Sequence, residues 1–475
     1  MTQGIIEGLR PVFYPRSIAV VGASSDHRKF GHRYLSALVA VGFKGKLYAV
    51  NPQVEQLLGV KSYPSLKAIP DPVEYVIVAI PNRYVLDMLD DCAVKKVKVV
   101  QFFTAGFSET GEEAGRRLEQ GVVNKAHAGG FRVIGPNCIG VYCPASRMAY
   151  GASPLMGQSG SVAVLSQSGG HAGRLTGWGH ERGLKFSKVV SFGNGCDLDS
   201  VDFLEYFAAD PETKVIGSYL EGVKQGRRFF GLIRDIAMTK PVVIWKGGKT
   251  EVGAAAAFSH TGSLAGSDAV WAGLARQTGA IKVESLEELT DTLLAFQDLS
   301  PFAGSRVSVV AGLGGGGGGV SVASGDAVTS QGLEILPFTP KTRGQLKAIL
   351  PEAGAILRNP LDLGGAGEDR ATLRRSLELA LGDPGVDIAI LNIPLGKTLG
   401  APNLGSAKSA CEVAIELRKG QPKPIVVYST PTLSSDAQYE LVMMLSAARI
   451  PVYPSLDQAA RAIANVARYW RWRAG

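Results

Sequence analysis

The feature that most constrains the fold of this chain is a repeated alternation of short apolar runs with stretches long enough to form a helix. Between residues 17 and 141 the apolar runs end in Gly, Pro, Asn or Ser, and they read SIAVVGAS, KLYAVNP, YVIVAIP, VKVVQFFTAG and FRVIGPN. Short buried strands that alternate with helices are typical of βαβ units with parallel strands. The pattern therefore predicts a doubly wound α/β domain in this part of the chain.

The alternation occurs twice more. A second series begins at Gly160 with GSVAVLSQSGG, FSKVVSFGNG, KVIGSYLEG and KPVVIWKGG, and a third consists of RVSVVAGLGGGGGGV, LEILPF, VDIAILNIPLG and PIVVYSTP. A loop at 299–304 separates these two series, and an amphipathic run follows from Asp457 to Trp472. At about 150 residues per domain, 475 residues correspond to three domains. We predict domains of residues 1–145, 146–303 and 304–475.

Composition and charge argue against several other classes of protein. The net charge of +8 could favour nucleic acid, but Lys/Arg blocks with interleaved aromatic residues are confined to Arg227-Arg228 and YWRWR at 469–473, so no nucleic-acid surface is predicted. The five cysteines form no CxxC pair, which argues against a disulfide framework or a structural metal site. No run of eighteen apolar residues and no basic-flanked leader occurs. We therefore expect a cytoplasmic protein without a membrane span.

The first glycine-rich turn points to a phosphate-bearing ligand. Gly22 ends the first strand, and a helix is predicted from about Phe30, so that backbone N–H groups face the turn. The fingerprint GxGxxG is missing, and Asn51-Pro52-Gln53 stands where an NAD site has an acidic residue, so NAD is not the expected ligand. Polar rims at 80–82 and 134–138 favour an extended cofactor, although the glycines of the first turn could simply form a tight turn.

The second series places a further candidate phosphate site at a strand end. Ser166-Gln167-Ser168-Gly169-Gly170 precedes a helix predicted from about His171, and the amides at such a helix N-terminus could bind phosphate without an arginine. Glu221 follows a neighbouring strand and is expected to face the same crevice. A carboxylate at that position could equally cap a turn.

One histidine stands out from the other five. His260 lies among small hydroxyl-bearing and glycine residues in AFSHTGSLAGSD at 257–268, a setting that allows a large ligand to approach the ring. Histidines are more often surface or core residues, but neutral imidazole is a competent nucleophile near pH 7, and its phosphoramidate can pass phosphate to ADP or to a carboxylate. The second ring nitrogen would then donate to an acceptor that fixes the tautomer, for which Glu221 is the candidate.

Together these motifs resemble a known family. The stretches SHTGSLAGSD, SVAVLSQSGG, VSFGNGCDLD, YLEGVKQGRRF and VIGPNCIGV are similar to those of the NDP-forming acyl-CoA synthetase superfamily, relatives of succinyl-CoA synthetase, and within it to the α subunits of ADP-forming acetate–CoA ligases. The similarity extends from about Ser17 to Gly365. It implies a Rossmann-like CoA-binding domain followed by two flavodoxin-like doubly wound domains, the first of which carries a phosphohistidine loop.

The resemblance also implies roles for particular residues. His260 matches the phosphorylated histidine, and Glu221 matches the glutamate that holds it. The helix terminus that binds the phosphoryl group corresponds to Ser168, Gly169 and Gly170. The CoA-binding strand ends correspond to Gly22, Ser24, Lys29, Pro52, Pro81, Pro136 and Asn137. The implied reaction interconverts acyl-CoA, phosphate and ADP with a carboxylic acid, CoA and ATP, through an acyl phosphate and phospho-His260.

The chain departs from the family pattern in several places. Gln53 stands where relatives often have lysine, Ser25 stands where arginine is frequent, and Gly170 replaces a bulkier residue. In the third series, the glycine-rich turn at 312–319 has six consecutive glycines. This turn could be either simply a flexible loop or a turn with a specialised role.

The nucleotide site implied by the resemblance has no counterpart in this sequence. We find neither the two lobes of an ATP-grasp module nor a GxxxxGK[ST] motif. The resemblance therefore implies a separate ATP-grasp β subunit that binds ATP or ADP with Mg²⁺, most simply in a heterotetramer, with the His260 loop moving between the two subunits. A small carboxylic acid is the implied substrate, with aryl or branched acids as alternatives. The competing hypothesis is a non-catalytic CoA-binding regulatory or scaffold protein of the same fold.

Overall fold

The structure is a computed structural model, and it describes the backbone of residues 2–150, 159–254, 266–299, 301–311, 313, 317–350, 355–395, 404–429 and 436–475. The chain packs into two compact units, Met1–His180 with Lys185–Leu289, and Glu181–Leu184 with Thr290–Gly475. Both units are built on parallel β-sheet with intervening helices. The prediction of an α/β protein is therefore confirmed.

The first unit contains two sheets, and the first of them has seven strands. These are β1 (Ser17–Val21), β2 (Lys46–Val50), β3 (Gln56–Leu57), β4 (Val60–Tyr63), β5 (Tyr75–Val78), β6 (Val99–Phe102) and β7 (Arg132–Ile134). They lie in the order β3-β4-β2-β1-β5-β6-β7, and all neighbours are parallel except β3 and β4. The helices that accompany them are α1 (Thr2–Phe13), α2 (Phe30–Ala40), α3 (Val85–Val94) and α4 (Glu113–Gly129). Every residue of β1 and β5 is buried, as expected for the centre of such a sheet.

The second sheet of this unit has six strands. These are β8 (Gly140–Tyr142), β9 (Val162–Ser166), β10 (Phe186–Ser191), β11 (Val215–Leu220), β12 (Val242–Lys246) and β13 (Ile281–Val283). They lie in the order β13-β12-β11-β9-β10-β8, with β8 antiparallel to β10 at one edge. The accompanying helices are α5 (Gly169–Glu181), α6 (Ser200–Ala209), α7 (Gly226–Ala237) and α8 (Asp268–Thr278).

A buried charged cluster joins the start of the chain to the second sheet. Lys188 of β10 is fully buried, and its Nζ lies 2.7 Å from Asp210 Oδ2 and 2.8 Å from Glu212 Oε2. Tyr14, just beyond α1, donates its hydroxyl to the same glutamate at 2.9 Å. Burial alone would lower the pKa of Lys188, but its hydrogen bonds to the two carboxylates outweigh that effect and raise it. The lysine is therefore held in its charged form.

The second unit contains one sheet of five parallel strands. These are β14 (Val307–Ala311), β15 (Leu361–Asp362), β16 (Ile388–Asn392), β17 (Ile425–Tyr428) and β18 (Val452–Tyr453), in the order β15-β14-β16-β17-β18. The helices are α9 (Leu286–Leu299, most of which belongs to this unit), α10 (Gly317–Thr329), α11 (Pro340–Lys347), α12 (Arg370–Gly382), α13 (Leu404–Gly420), α14 (Asp436–Ala447) and α15 (Leu456–Ala474). Among the helices described, none is both long and apolar enough to cross a membrane.

Two predictions for the second unit concern the stretches at 333–338 and 312–319. The predicted strand LEILPF at 333–338 is wrong, because this stretch forms only an isolated bridge between Glu334 and Arg306. Pro337 has no N–H to donate, and a proline in such a run ends the pairing. Of the glycine-rich turn at 312–319, residues 312 and 314–316 lie outside the described residues, and residue 317 begins α10.

Candidate active site

A large cleft lies at the carboxyl ends of β1, β2, β5 and β6. Its volume is about 1410 Å³, which exceeds the roughly 300–1,000 Å³ of ordinary small-molecule pockets and suits an extended ligand. Parallel strands present their carboxyl ends at one sheet edge, where α/β proteins bind ligands. We call this the first-sheet cleft. Five of the seven residues proposed for CoA line it, namely Gly22, Ser24, Lys29, Pro52 and Pro81.

The first turn of the cleft is built by close backbone packing. Gly22 has a φ of 89°, and a Cβ at this position would lie 2.5 Å from the carbonyl oxygen of Ala79. Gly31, in the first turn of α2, lies so close to the turn that a Cβ there would overlap the carbonyl oxygen of Gly22. The N-terminus of α2 therefore lies directly against the turn, as the sequence predicted for a phosphate-binding arrangement.

Polar side chains fix the neighbouring loops. Asn51 donates its amide to Ala23 O at 2.8 Å and accepts from Gln53 N at 2.8 Å, which sets the turn that carries Pro52. His32 Nδ1 lies 2.9 Å from the Ser24 carbonyl oxygen, so the ring donates there. These contacts of Asn51 and His32 were not predicted, although the Asn-Pro pair after a strand is a signal for such a turn.

Most cations of the first-sheet cleft already have carboxylate partners. Arg28 forms two hydrogen bonds to Asp26, both 3.0 Å long, and the hydrogen bond from Arg28 lowers the pKa of the aspartate. Lys67 lies 3.7 Å from Asp91. Lys29 forms no ion pair with any residue that the structure describes. Its charge is therefore available to an anionic ligand.

Aromatic rings form part of the cleft wall. Phe30 stacks on Phe103 with ring centroids 3.7 Å apart and planes 28° apart. Tyr84 also lines the cleft and is 51% exposed. Such faces can receive a base or an apolar chain. None of these three residues was predicted to line the site, because the spacing of single aromatic residues does not show which cavity they will reach.

Pro136 and Asn137, the other two residues proposed for CoA, are not among the residues that line the cleft. Asn137 donates its backbone N–H to Thr104 O at 3.0 Å, and Pro136 O accepts from Asn194 N at 3.0 Å. The Asn194 amide in turn donates to Glu109 at 2.6 Å and to Glu119 at 2.9 Å. Pro136 and Asn137 therefore lie where the loop after β10 meets the first sheet. The backbone of Asn137 contacts Thr104, which lines the cleft.

A second candidate site lies at the carboxyl ends of β9, β11 and β12. Glu221 follows β11 and is only 4% exposed. Gln167, just beyond β9, accepts through its side-chain oxygen from the backbone N–H of Glu221 and from that of Gly222 at 3.1 Å. Tyr219 donates its hydroxyl to Glu221 Oε1 at 3.1 Å. The backbone and the carboxylate of Glu221 are therefore both fixed, by contacts with Gln167 and Tyr219 that were not predicted from the sequence.

The predicted phosphate turn lies at the same sheet edge. Helix α5 begins at Gly169, two residues before the predicted start, so that Gly169 and Gly170 occupy its first turn. Ser168 Oγ accepts from His171 N at 3.3 Å, which caps the helix. A Cβ on Gly170 would meet nothing nearer than 3.8 Å. The absence of a side chain leaves open space beside this N-terminus, to which anions are attracted.

A buried lysine lies on the strand next to Glu221. Lys246 is opposite Leu220 in the pairing of β12 with β11, and its Nζ donates to Gly247 O and, at 3.3 Å, to Gly248 O. Burial lowers its pKa, while the charges of Asp268 and Glu221 act in the opposite direction. A lysine at the end of the otherwise apolar run VVIW was a signal for this position.

His260 lies outside the described residues, within 255–265. The described residues on either side of this stretch carry ion pairs. Lys249 is paired with Glu284 on the amino-terminal side, and Asp268 lies 3.1 Å from Lys282 on the carboxyl-terminal side. The described residues on both sides of 255–265 are therefore held near β13. Because His260 lies outside the described residues, its pairing with Glu221 remains a prediction.

Three family models match this chain in succession. The CoA binding domain matches residues 16–144, the succinyl-CoA ligase like flavodoxin domain matches 159–296, and the ligase-CoA domain matches 307–475. The three matches cover most of the sequence and occur in the order predicted for the three types of domain.

Individual relatives agree with the family models. The chain is 36% identical to the "acetate–CoA ligase [ADP-forming] II subunit alpha" of Pyrococcus furiosus, over 95% of each chain. It is 32% identical to the "4-hydroxybutyrate–CoA ligase [ADP-forming]" of Nitrosopumilus maritimus, over 97% of this chain and 64% of that protein. Among solved structures, acetyl-coenzyme A synthetase 1 of Candidatus Korarchaeum cryptofilum, in complex with phosphate and ADP, superimposes with a TM-score of 0.83 at 35% identity, over 98% of this chain and 97% of that one.

Proposed function

This chain belongs to the NDP-forming acyl-CoA synthetase superfamily, and on that premise we propose that it is the α subunit of an ADP-forming acid–CoA ligase that works through a phosphohistidine. One observation carries the proposal. The buried carboxylate of Glu221 and the open N-terminus of α5 lie at one sheet edge, and Gln167 tethers the backbone of Glu221 to the end of β9. The N-terminus of α5 would bind a phosphoryl group, and the carboxylate of Glu221 would accept a hydrogen bond from an imidazole beside it.

The first step, in the ATP-forming direction, is the cleavage of an acyl-CoA thioester by phosphate. A phosphate oxygen attacks the thioester carbon, the carbon–sulfur bond breaks, and the sulfur leaves with the electron pair and takes up a proton. The first-sheet cleft would hold the CoA moiety, with Lys29 facing its anionic groups. The N–H groups at Gly169 and Gly170 would hold the phosphate and then the acyl phosphate.

In the second step His260 takes over the phosphoryl group. A ring nitrogen attacks phosphorus, the bond to the acyl oxygen breaks, and the carboxylic acid leaves as its carboxylate. Glu221 would accept a hydrogen bond from the other ring nitrogen and stabilise the positive charge that develops on the ring. Tyr219 and Gln167 already hold Glu221 in place, so little reorganisation is needed. ADP would accept the phosphoryl group from His260, and the reaction could run in either direction.

The nucleotide would be bound by a separate ATP-grasp β subunit in a heterotetramer. The Pyrococcus relative is called a subunit alpha, and the Nitrosopumilus relative is longer than the matched region, which supports a second part supplied by another chain. Mg²⁺ bound there with the nucleotide would neutralise phosphate charge. We further propose a small carboxylic acid as substrate and the division into residues 1–145, 146–303 and 304–475 as CoA-binding and two flavodoxin-like domains.

The proposal can be tested by steady-state assays with the purified chain, an ATP-grasp partner, CoA, ATP, Mg²⁺ and a panel of acids. We expect ligase activity with at least one acid and its loss in H260A. The control H127A changes an exposed histidine on α4 and should leave activity unchanged. Full activity of H260A would contradict the phosphohistidine mechanism, and no ligase activity of the wild-type chain with any acid would favour the non-catalytic alternative.

A further inference from the structure

A fully buried lysine lies at the second candidate site and takes no part in the reaction steps proposed above. Lys246 is the last residue of β12 and is 0% exposed. Burial lowers its pKa, because the surroundings make the charged form costly. A methionine would fill nearly the same space without that cost, so the amino group indicates a polar role at this position.

The amino group holds the turn that follows β12. Its Nζ donates to Gly247 O and, at 3.3 Å, to Gly248 O, so that the side chain folds back over these two residues. Gly247 N donates at 2.9 Å to the carbonyl oxygen of the last residue of β11, which ties the turn to the neighbouring strand. In the sequence this turn leads into the stretch 255–265 that contains His260. Lys246 therefore fixes the point from which the chain departs towards the histidine.

The same turn packs against the residue that orients Glu221. A Cβ on Gly247 would overlap the hydroxyl of Tyr219, so the glycine backbone lies directly against this side chain. The Tyr219 hydroxyl donates to Glu221 Oε1 at 3.1 Å. The tyrosine ring is confined, because the rings of His171 and Trp245 each lie 4.5 Å from it, centroid to centroid. A displacement of the turn would therefore disturb the hydrogen bond to the carboxylate.

We propose that Lys246 is a positioning residue of the phosphoryl-transfer site. By holding the turn at 247–248 it sets the start of the segment that carries His260. Through the contact of this turn with Tyr219 it also sets the orientation of the Glu221 carboxylate. The inference rests on the proposed function for the phosphohistidine step. Because small misplacements of reacting groups slow a reaction strongly, loss of the lysine should slow phosphoryl transfer and leave CoA binding in the first-sheet cleft unchanged.

The rate at which labelled ATP phosphorylates His260 tests this role, with the full-length chain, its purified ATP-grasp partner and Mg²⁺. K246M keeps the length of the side chain and removes its donors, and it should slow labelling at least tenfold. The affinity for CoA, measured by calorimetry, should stay within threefold of wild type. G247A leaves Lys246 in place but displaces the Tyr219 hydroxyl, and it should also slow labelling. This second variant keeps the test decisive where K246M strongly lowers the unfolding temperature.

The matched control is K240M. Lys240 lies just before β12, at the opposite end of the same strand, and its Nζ also donates to two backbone carbonyl oxygens, those of Phe207 and Asp210. K240M therefore removes hydrogen bonds of the same kind away from the candidate site. It should leave the rate of labelling unchanged.

A double-mutant cycle with Y219F tests whether Lys246 acts through Tyr219. Y219F removes the hydrogen bond to Glu221 and should slow labelling by itself. If the two residues act on the same carboxylate, K246M/Y219F should be slowed less than the product of the two single effects.

Wild-type rates of labelling in both K246M and G247A would overturn the proposal, and so would effects of K246M and Y219F that simply multiply. An equal loss of rate in K240M would show general destabilisation and would also overturn it. Absence of label from His260 in the wild-type chain would contradict the proposed function itself, and this inference with it.

Discussion

At the scale of single residues, Lys29 is the cation of the first-sheet cleft that forms no ion pair with any described residue. We predict that K29A raises the KM for CoA about tenfold or more, since a charge-assisted hydrogen bond contributes about 1.5–3 kcal/mol, while kcat changes little. The control D26N/R28Q removes the neighbouring ion pair without changing net charge and should alter KM less than threefold. Steady-state kinetics at constant ionic strength measure both, and an unchanged KM in K29A would contradict this role.

His180 makes stability depend on pH. Its ring is buried beside Phe186, and the Tyr142 hydroxyl lies 3.0 Å from Nε2. Burial lowers its pKa from 6.5 to about 4, so the folded chain keeps the ring neutral while the unfolded chain protonates it below about 6.5. The unfolded state therefore binds more protons between these values, and stability falls as the pH decreases from 6.5 to 4. Urea unfolding of wild type and H180N at pH 7.5 and 5 should show the larger loss in wild type; equal losses would contradict the assignment.

The residues of the two candidate sites could be predicted only in part. Gly22, Ser24, Lys29, Pro52 and Pro81 share one cleft because parallel strands end at one sheet edge, a rule that the sequence pattern can use. The contacts of Gln167 and Tyr219 with Glu221 could not be predicted, because they depend on the register of β9 and β11. Their roles in binding and catalysis remain predictions.

At the scale of secondary-structure elements, the position of α2 depends on the absence of a side chain at Gly31. A Cβ there would overlap the carbonyl oxygen of Gly22, so the helix or the turn must move in G31A. We predict a lower unfolding temperature and at least tenfold weaker CoA binding. G231A in α7 is the control, because its new Cβ meets nothing within 4 Å and alanine is the better helix former by about 1 kcal/mol. Calorimetry measures both properties, and undiminished CoA binding by G31A would contradict the predicted displacement.

The apolar runs predicted most of the long strands and the three-residue β7, but not the other short strands. β8 and β13 have three residues each, too few for a periodic pattern, and they are placed at sheet edges by tertiary pairing. The stretch LEILPF has the composition of a strand but includes Pro337, which cannot donate to a ladder. A strand was therefore predictable where a whole run of residues is buried. It was less predictable where a single proline, or pairing with one neighbouring strand, determines whether the strand forms.

At the scale of the whole molecule, the buried cluster around Lys188 connects the first residues of the chain to the second sheet of the first unit, a connection that no sequence spacing indicated. K188M should destabilise the protein by about 3–5 kcal/mol, because Asp210 is left buried without its cation. The control is K240M, since the Lys240 ammonium donates to the carbonyl oxygens of Phe207 and Asp210 and forms no ion pair with a described residue, and its cost should be closer to about 1 kcal/mol. Chemical denaturation measures the free energy of unfolding of both variants. Equal losses of stability would contradict the claim that Lys188 is needed to compensate the buried charge of Asp210.

The central claim is that the phosphoryl group passes through His260. The most direct measurement is incubation of the chain with its ATP-grasp partner, Mg²⁺ and γ-labelled ATP, followed by mapping of the label by mass spectrometry. We predict an acid-labile label on His260 that is lost when the carboxylic acid substrate and CoA are added. The label should be absent in H260A and should form more slowly in E221Q. Catalytic turnover without any label on His260, or an acid-stable label on another residue, would contradict the account.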